Sequence, residues 1–422
     1  MLYHAYQTQA YALAPGRMLA HAIGAMGRPD YPIPPAGGDG NPFAMAMRAW
    51  RGNSFFTQWT ALCEAFDRTR ITHERPDFGI ASVASNGREY GVIEEATHRT
   101  PFATLLHFRK DGAPEQPRVL LVAPLSGHFS TLLRETVRTL LTDHDVWITD
   151  WHNARDVPIE EGRFGLDEYI DHMIAFMRLL GPNSHVIAIC QPCVAALASV
   201  AVLAQDADPA QPATMTLMAG PIDCRVNPTA VNRLATERPI EWFESNLISR
   251  VPLPHRGAAR RVYPGVTQLA AFMNMNLPRH VRTFGDMVGH RIAGEHEAAD
   301  AIARFYEEYF AVNDLTAEFY LETVERVFQT YDLPLGRLGY RGERIDPSAI
   351  QRTALMTVEG ERDDICSIGQ TVAAQDLCTR IRPYQRTHHV QTGVGHYGVF
   401  SGRKWSGSIY PRVRDMIHVN TR

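Results

Sequence analysis

No stretch of the 422 residues approaches the ~20 consecutive apolar positions that a bilayer-spanning helix requires, so a membrane span is not expected. The first segment, MLYHAYQTQAYALAPGRMLAHAIGAMG, lacks the basic start, apolar centre and small-residue cleavage site of a secretory signal. A cytoplasmic protein is the expectation. Cysteine is scarce: Cys63, Cys190, Cys193, Cys224, Cys366 and Cys378 are too few and too scattered for a disulfide framework, and reduced thiols are expected. Positive charge is not in excess either. With a net charge of −4 and both signs spread along the chain, no basic field gathers phosphates, and nucleic acid is not an expected partner. Internal repeats and low-complexity segments are also missing.

What is present is core material. A hydrophobic content of 45% is ample for a large buried interior, and length alone suggests about two or three domains. Residues 1–78 read as a helical extension, with apolar residues at helical spacing on either side of a Pro/Gly-rich break, RPDYPIPPAGGDGNP. IASVAS, YGVIEEATH and ATLLHFRK then alternate as half-buried antiparallel strands do. From 118 onward, VLLVAPL, DVWITDW and HVIAI are short apolar runs, each followed by a turn and a helical pattern. Strand–helix alternation of this kind predicts an α/β fold, a mostly parallel sheet with helices on both faces. TMTLMAGPID, TALMTVEGERDD and THHVQTGVGHYG add three more strands. Between the first of these and the other two, residues 224–350 are helical in period and read as a cap or lid inserted between late strands. The core is thereby divided into 79–223 and 351–422.

HVIAICQPCVAAL, residues 185–197, carries a C-x-x-C after an apolar run. A redox pair of this type belongs near the start of a small domain, not after the third of several parallel strands. A zinc site needs a second ligand pair, and Cys366 and Cys378 stand too far apart to supply one. No metal is expected. In the third reading, HVIAI is a strand, Cys190 a sharp turn, and QPCVAALASVAVLAQ the helix that follows. Such a turn lifts its side chain to the carboxyl edge of the sheet, where the positive end of the helix favours a thiolate. Ala188 and Pro192 are the small or helix-compatible residues two places to either side. Cys193 falls one turn on, into helix packing, and is the second choice for nucleophile.

A nucleophile at such an elbow calls for a later carboxylate and, after it, a histidine. TALMTVEGERDD ends in Gly360 and then Asp363 and Asp364, of which Asp363 is preferred; GVGHYG places His396 on a Gly-rich turn. Two N–H donors for a developing oxyanion are expected from Gln191, next to the nucleophile, and from Leu125 or Ser126 in the loop APLSGH. Gly127 allows close approach of a substrate. His128, which precedes the nucleophile, shapes the pocket; Trp151 and His152 line the acyl site or pack the sheet edge, and Tyr397 adjoins His396.

HVIAICQP, VAPLSGHFSTLLRETV, WITDWHNARDVP and GVGHYGVFSGRKW resemble the intracellular polyhydroxyalkanoate depolymerases, the poly(3-hydroxybutyrate) depolymerases of storage granules. The likeness runs through essentially the whole chain. It implies an α/β-hydrolase fold and a Cys190–His396–Asp363 triad that attacks polymer esters through an acyl-thioester. It also implies association with storage granules and no cofactor beyond coenzyme A as a candidate acyl acceptor. The related polyester synthases, acyltransferases, resemble G-x-C-x-G-G at the elbow where this chain reads A-I-C-Q-P-C. Such an acyltransferase is the alternative, and an inactive granule coat protein the third reading. The sequence does not give the oligomeric state.

Overall fold

The computed structural model describes residues 2–28, 31, 53–275 and 277–421. Apart from Arg28 and Tyr31, the Pro/Gly-rich break lies outside the described residues, as does the FAMAMRAW that follows it.

Nine strands form one sheet: β1 (Ser82–Ser85), β2 (Arg88–Arg99), β3 (Ala103–Lys110), β4 (Arg118–Val122), β5 (Asp145–Trp151), β6 (His185–Ile189), β7 (Thr214–Met218), β8 (Ala354–Gly360) and β9 (Arg386–Gln391). Their order is β1-β2-β3-β5-β4-β6-β7-β8-β9. The first three are antiparallel, and β5 through β9 with β4 are parallel. β6, β7 and β8 are buried at every position, as strands covered on both faces must be, which is why they read as largely apolar runs. Alternation along each strand divides them between two cores. Leu120, Val122, Val186 and Ala188 enter one core with the helices Leu166–Leu180 and Cys193–Gln205. Val119, Leu121, Ile187 and Ile189 enter the other, with Arg134–Leu140 and Tyr410–Asn420.

The chain leaves β4 for β5 on one side and then crosses back past β4 to β6 on the other. Right-handed crossovers in opposite directions put their helices on opposite faces and open a crevice at the carboxyl ends of β4 and β6. The loop after β4 and the turn after β6 both lie there.

Packing divides the chain differently from its sequence texture. Residues 77–264 and 313–422 form the sheet-bearing unit, and 1–76 with 265–312 form a helical one. The segment 224–350 is therefore split. Its ends belong to the sheet unit, where Ser249–Arg250, Arg261–Tyr263 and Leu315–Thr316 make a small ribbon and Tyr263 stacks on Tyr320 at 3.8 Å. Its middle belongs with the N-terminal helices. The reason is long-range: Glu64 of the helix Ser54–Arg68 is buried and takes two hydrogen bonds from Arg291, at 2.8 and 2.9 Å. Of the mid-insertion aromatics, Tyr306 and Tyr309 are buried in this unit and Phe305 is exposed. Among the described residues no helix is long and apolar enough to cross a membrane.

Candidate active site

β6 ends at Ile189, and the next residue, Cys190, has φ +66°. A side chain in this left-handed region costs about 1–2 kcal/mol, so the surroundings must enforce it. The Cys190 N–H donates to the Met218 carbonyl at the end of β7 at 2.7 Å, and its own carbonyl accepts from Cys193 N at 3.1 Å. Pro192 then leads into the helix Cys193–Gln205 with φ −68°, the value its ring imposes. Opposite the turn lies Gly220, where an added Cβ would come within 2.2 Å of Cys193 Cβ. Only glycine lets the chain after β7 pass this close.

The two thiols are in different situations. Cys190 is half-buried, and Cys193 is fully enclosed. Cys193 Sγ donates towards the carbonyls of Ala188 (3.3 Å) and Met218 (3.6 Å), and burial pushes its thiol well above the usual range. It is a neutral packing group.

The carboxylate and imidazole come from the turns after β8 and β9. Asp363 Oδ2 lies 2.8 Å from His396 Nδ1, and both groups are buried. Asp363 Oδ1 accepts the N–H groups of Ile365 (2.9 Å) and Cys366 (2.8 Å), so the carboxylate is held at both oxygens. Asp364 stands exposed beside it. The two turns are tied together by Arg362 N donating to the Val394 carbonyl at 2.9 Å. With Nδ1 on Asp363, Nε2 of His396 is the nitrogen left to face Cys190. Burial works against protonating this ring, yet Cys190 and Asp363 outweigh it and hold His396 well above the ordinary imidazole value. A proton can thus pass from sulfur to a nitrogen whose cation is already stabilised.

A second carboxylate supports the acid turn. Glu359, fully buried near the end of β8, accepts the N–H groups of Gly369 (3.0 Å), Thr371 (2.7 Å) and Val372 (3.0 Å). Sequence reasoning passed over it as part of an apolar strand, although a carboxylate in such a run is a signal in itself.

The loop after β4 brings Leu125 to the elbow: its N–H donates to the side-chain oxygen of Gln191 at 3.2 Å. Tyr169 Oη, which sequence reasoning missed, donates to the same oxygen at 3.2 Å. Ser126 is half-buried in this loop, and Gly127, at φ +90°, has its carbonyl bonded by Asn313 N at 2.8 Å. His128 is buried. Trp151 is buried too, donating its indole N–H to the Ala123 carbonyl at 2.8 Å and packing on Tyr169 at 4.5 Å, so it braces the loop. His152 is engaged elsewhere, with Thr104 Oγ1 at 2.7 Å and the Pro101 carbonyl at 2.9 Å. Tyr397 is half-buried, its ring 6.0 Å from that of His396. Among the described residues no cluster of three or more His, Cys, Asp or Glu side chains is arranged to hold a metal ion.

A strand-to-helix elbow after a central parallel strand, a carboxylate after a later strand and a histidine after the next, in that chain order, define an α/β-hydrolase, and the protein is an ester hydrolase of that class. Residues 219–421, the part that carries Asp363 and His396, match the family described as PHB de-polymerase C-terminus. Among solved structures it is similar to the 2-hydroxy-6-oxo-6-phenylhexa-2,4-dienoate hydrolase of Rhodococcus sp. strain RHA1, at 13% identity over 78% of this chain and 99% of that one, with a TM-score of 0.41. It is likewise similar to a thermophilic esterase from Thermogutta terrifontis, at 13% identity over 78% and 99%, with a TM-score of 0.40. No curated protein sequence matches it.

Proposed function

We propose that the protein cleaves the ester bonds of poly(3-hydroxybutyrate) at storage granules, with Cys190 as nucleophile, His396 as base and Asp363 as orienting acid. The observation that carries this reading is the half-buried thiol at φ +66°, near enough to raise a histidine whose Nδ1 lies 2.8 Å from a fixed carboxylate.

His396 Nε2 takes the Cys190 proton, and the sulfur adds to the ester carbonyl carbon while the carbonyl π pair moves onto oxygen. The N–H groups of Gln191 and Leu125 are the proposed donors to that oxygen. When the carbonyl re-forms, the C–O bond breaks and the departing hydroxyl end of the polymer takes the proton from His396. The thioester on Cys190 is then attacked by water, which gives its proton to His396. The C–S bond breaks, the sulfur recovers the proton, and a 3-hydroxybutyrate monomer or oligomer leaves as its acid. Asp363 holds the ring and stabilises its cation throughout.

The test is incubation of purified protein with amorphous poly(3-hydroxybutyrate) granules, with and without coenzyme A, quantifying hydroxy acids, oligomers and acyl thioesters. Soluble products are expected from wild type and from Cys193→Ala, and none from Cys190→Ala. Acyl-coenzyme A formed in place of free acid would make the protein an acyltransferase, and activity surviving Cys190→Ala would remove the elbow from the mechanism.

A further inference from the structure

Two buried donors in this site share one acceptor, and that acceptor is a half-buried side chain of the protein itself. Leu125 N–H and Tyr169 Oη–H both point at Gln191 Oε1, each at 3.2 Å, one residue beyond Cys190. Both lengths are at the long limit for their donor types, and an amide oxygen is a neutral acceptor. An oxyanion at the same point is charged, and such donors close to shorter distances on a charged acceptor. Tyr169 is fully buried, anchored by Trp151 at 4.5 Å and Phe319 at 4.7 Å, so its hydroxyl cannot turn to solvent when the glutamine leaves. Whatever displaces Gln191 Oε1 must itself be an oxygen acceptor, or two buried donors lose their partner. Burial, with the thiols of Cys193 and Cys190 nearby, raises the Tyr169 phenol well above its usual range, so it stays a proton donor through any working pH.

We infer that Tyr169 is a third donor to the oxyanion, beside the backbone N–H groups of Gln191 and Leu125, and that the Gln191 side chain is a resident plug that the substrate's acyl oxygen displaces. This rests on the thiol-esterase reading above. Displacement exchanges one amide oxygen for an ester oxygen at nearly equal cost in the ground state. When sulfur adds to the carbonyl carbon, the gain from charge falls in the transition state, where it raises kcat rather than lowering KM.

The experiment uses the full chain with a soluble p-nitrophenyl butyrate substrate, a trifluoromethyl ketone inhibitor and iodoacetamide. The ketone carbon accepts the Cys190 sulfur, its carbonyl π pair becomes an alkoxide, and that oxygen reports on the donors. Alkylation by iodoacetamide reports on the thiol alone, since it forms no oxyanion. Tyr169→Phe is expected to lower kcat about 10–100-fold, to weaken the ketone by a similar factor, and to leave KM and the alkylation rate within about 2-fold. Gln191→Ala, which keeps the backbone N–H and removes the plug, is expected to bind the ketone at least as tightly as wild type.

Equal losses in kcat and alkylation rate with Tyr169→Phe would show a packing role and overturn the inference, as would a Gln191→Ala variant that binds the ketone tenfold more weakly. Should Tyr169→Phe fail to fold, 3-fluorotyrosine at 169 preserves the shape with a more acidic hydroxyl. Ketone affinity must then rise, and no change would overturn the inference. Failure of the underlying reading looks different: wild type would be inert towards the ester and indifferent to iodoacetamide.

Discussion

Cys190 is asked to do two incompatible things, to adopt a backbone conformation suited to glycine and to carry a side chain. Removing the side chain should therefore stabilise the fold while ending the chemistry. Cys190→Gly is expected to raise unfolding free energy by about 1 kcal/mol, read as a higher denaturant midpoint at unchanged slope, with no ester hydrolysis. The placing of Cys190, Asp363 and His396 on turns after strands was legible in the sequence, because each follows an apolar run that ends in a turn. Tyr169 was not, since it sits in the first turn of an ordinary amphipathic helix, Leu166–Leu180, more than twenty residues before the elbow it faces. Nor was it legible whether Trp151 and His152 line the acyl site or pack the sheet edge. Neighbouring residues at a strand end point opposite ways, and only the fold assigns the indole to the loop and the imidazole to Thr104.

The strands were legible because β4 and β6 to β8 are nearly all apolar; two polar residues inside them have consequences of their own. Glu359→Ala should cost about 3 kcal/mol, because the buried N–H of Thr371 and the partly buried ones of Gly369 and Val372 lose their acceptor at once. The same change should lower esterase activity, since the turn it loosens presents Asp363; denaturant melts and initial rates check the two effects separately. His185 opens β6 with its ring against Thr214 Oγ1 at 3.0 Å and Thr421 Oγ1 at 3.2 Å, and burial brings it down to about 4; burial brings His144 down to about 3. Above the ordinary value of about 6.5 both are neutral folded or unfolded. Below it only the unfolded chain takes the protons, so stability falls by about 1.4 kcal/mol per pH unit per group until the native values are reached. His396, raised in the native state, acts with the opposite sign: its contribution is full below the ordinary value and is lost as pH rises through its native one. His185→Gln should reduce the loss of stability between pH 6 and pH 5 by about 1 kcal/mol, measured by denaturant titration at each pH.

At the scale of the whole molecule, the helical unit was the least legible part, because local periodicity finds helices and cannot say which distant helices pair. The Glu64–Arg291 contact spans 227 positions. With both groups nearly buried, Arg291→Ala should destabilise the helical unit by about 2–3 kcal/mol. That is less than for an isolated pair, since Arg28 and Arg68 lie 3.4 and 3.7 Å from the same carboxylate. The early transition in a thermal scan should move while hydrogen exchange in β6 and β7 does not. This discontinuity also has a consequence in time. Residues 1–76 are synthesised first, and their packing partner, 265–312, begins roughly 190 residues later. At a synthesis rate of roughly 5–20 residues per second, the N-terminal helices spend about 10–40 s at the ribosome surface with apolar side chains such as Ala65, which packs on Met287, Ala299 and Ala303 in the folded unit, unpaired by that partner. Chaperone demand during translation should fall in a circular permutant that starts at Asp77, where only residues 313–422 separate the two segments.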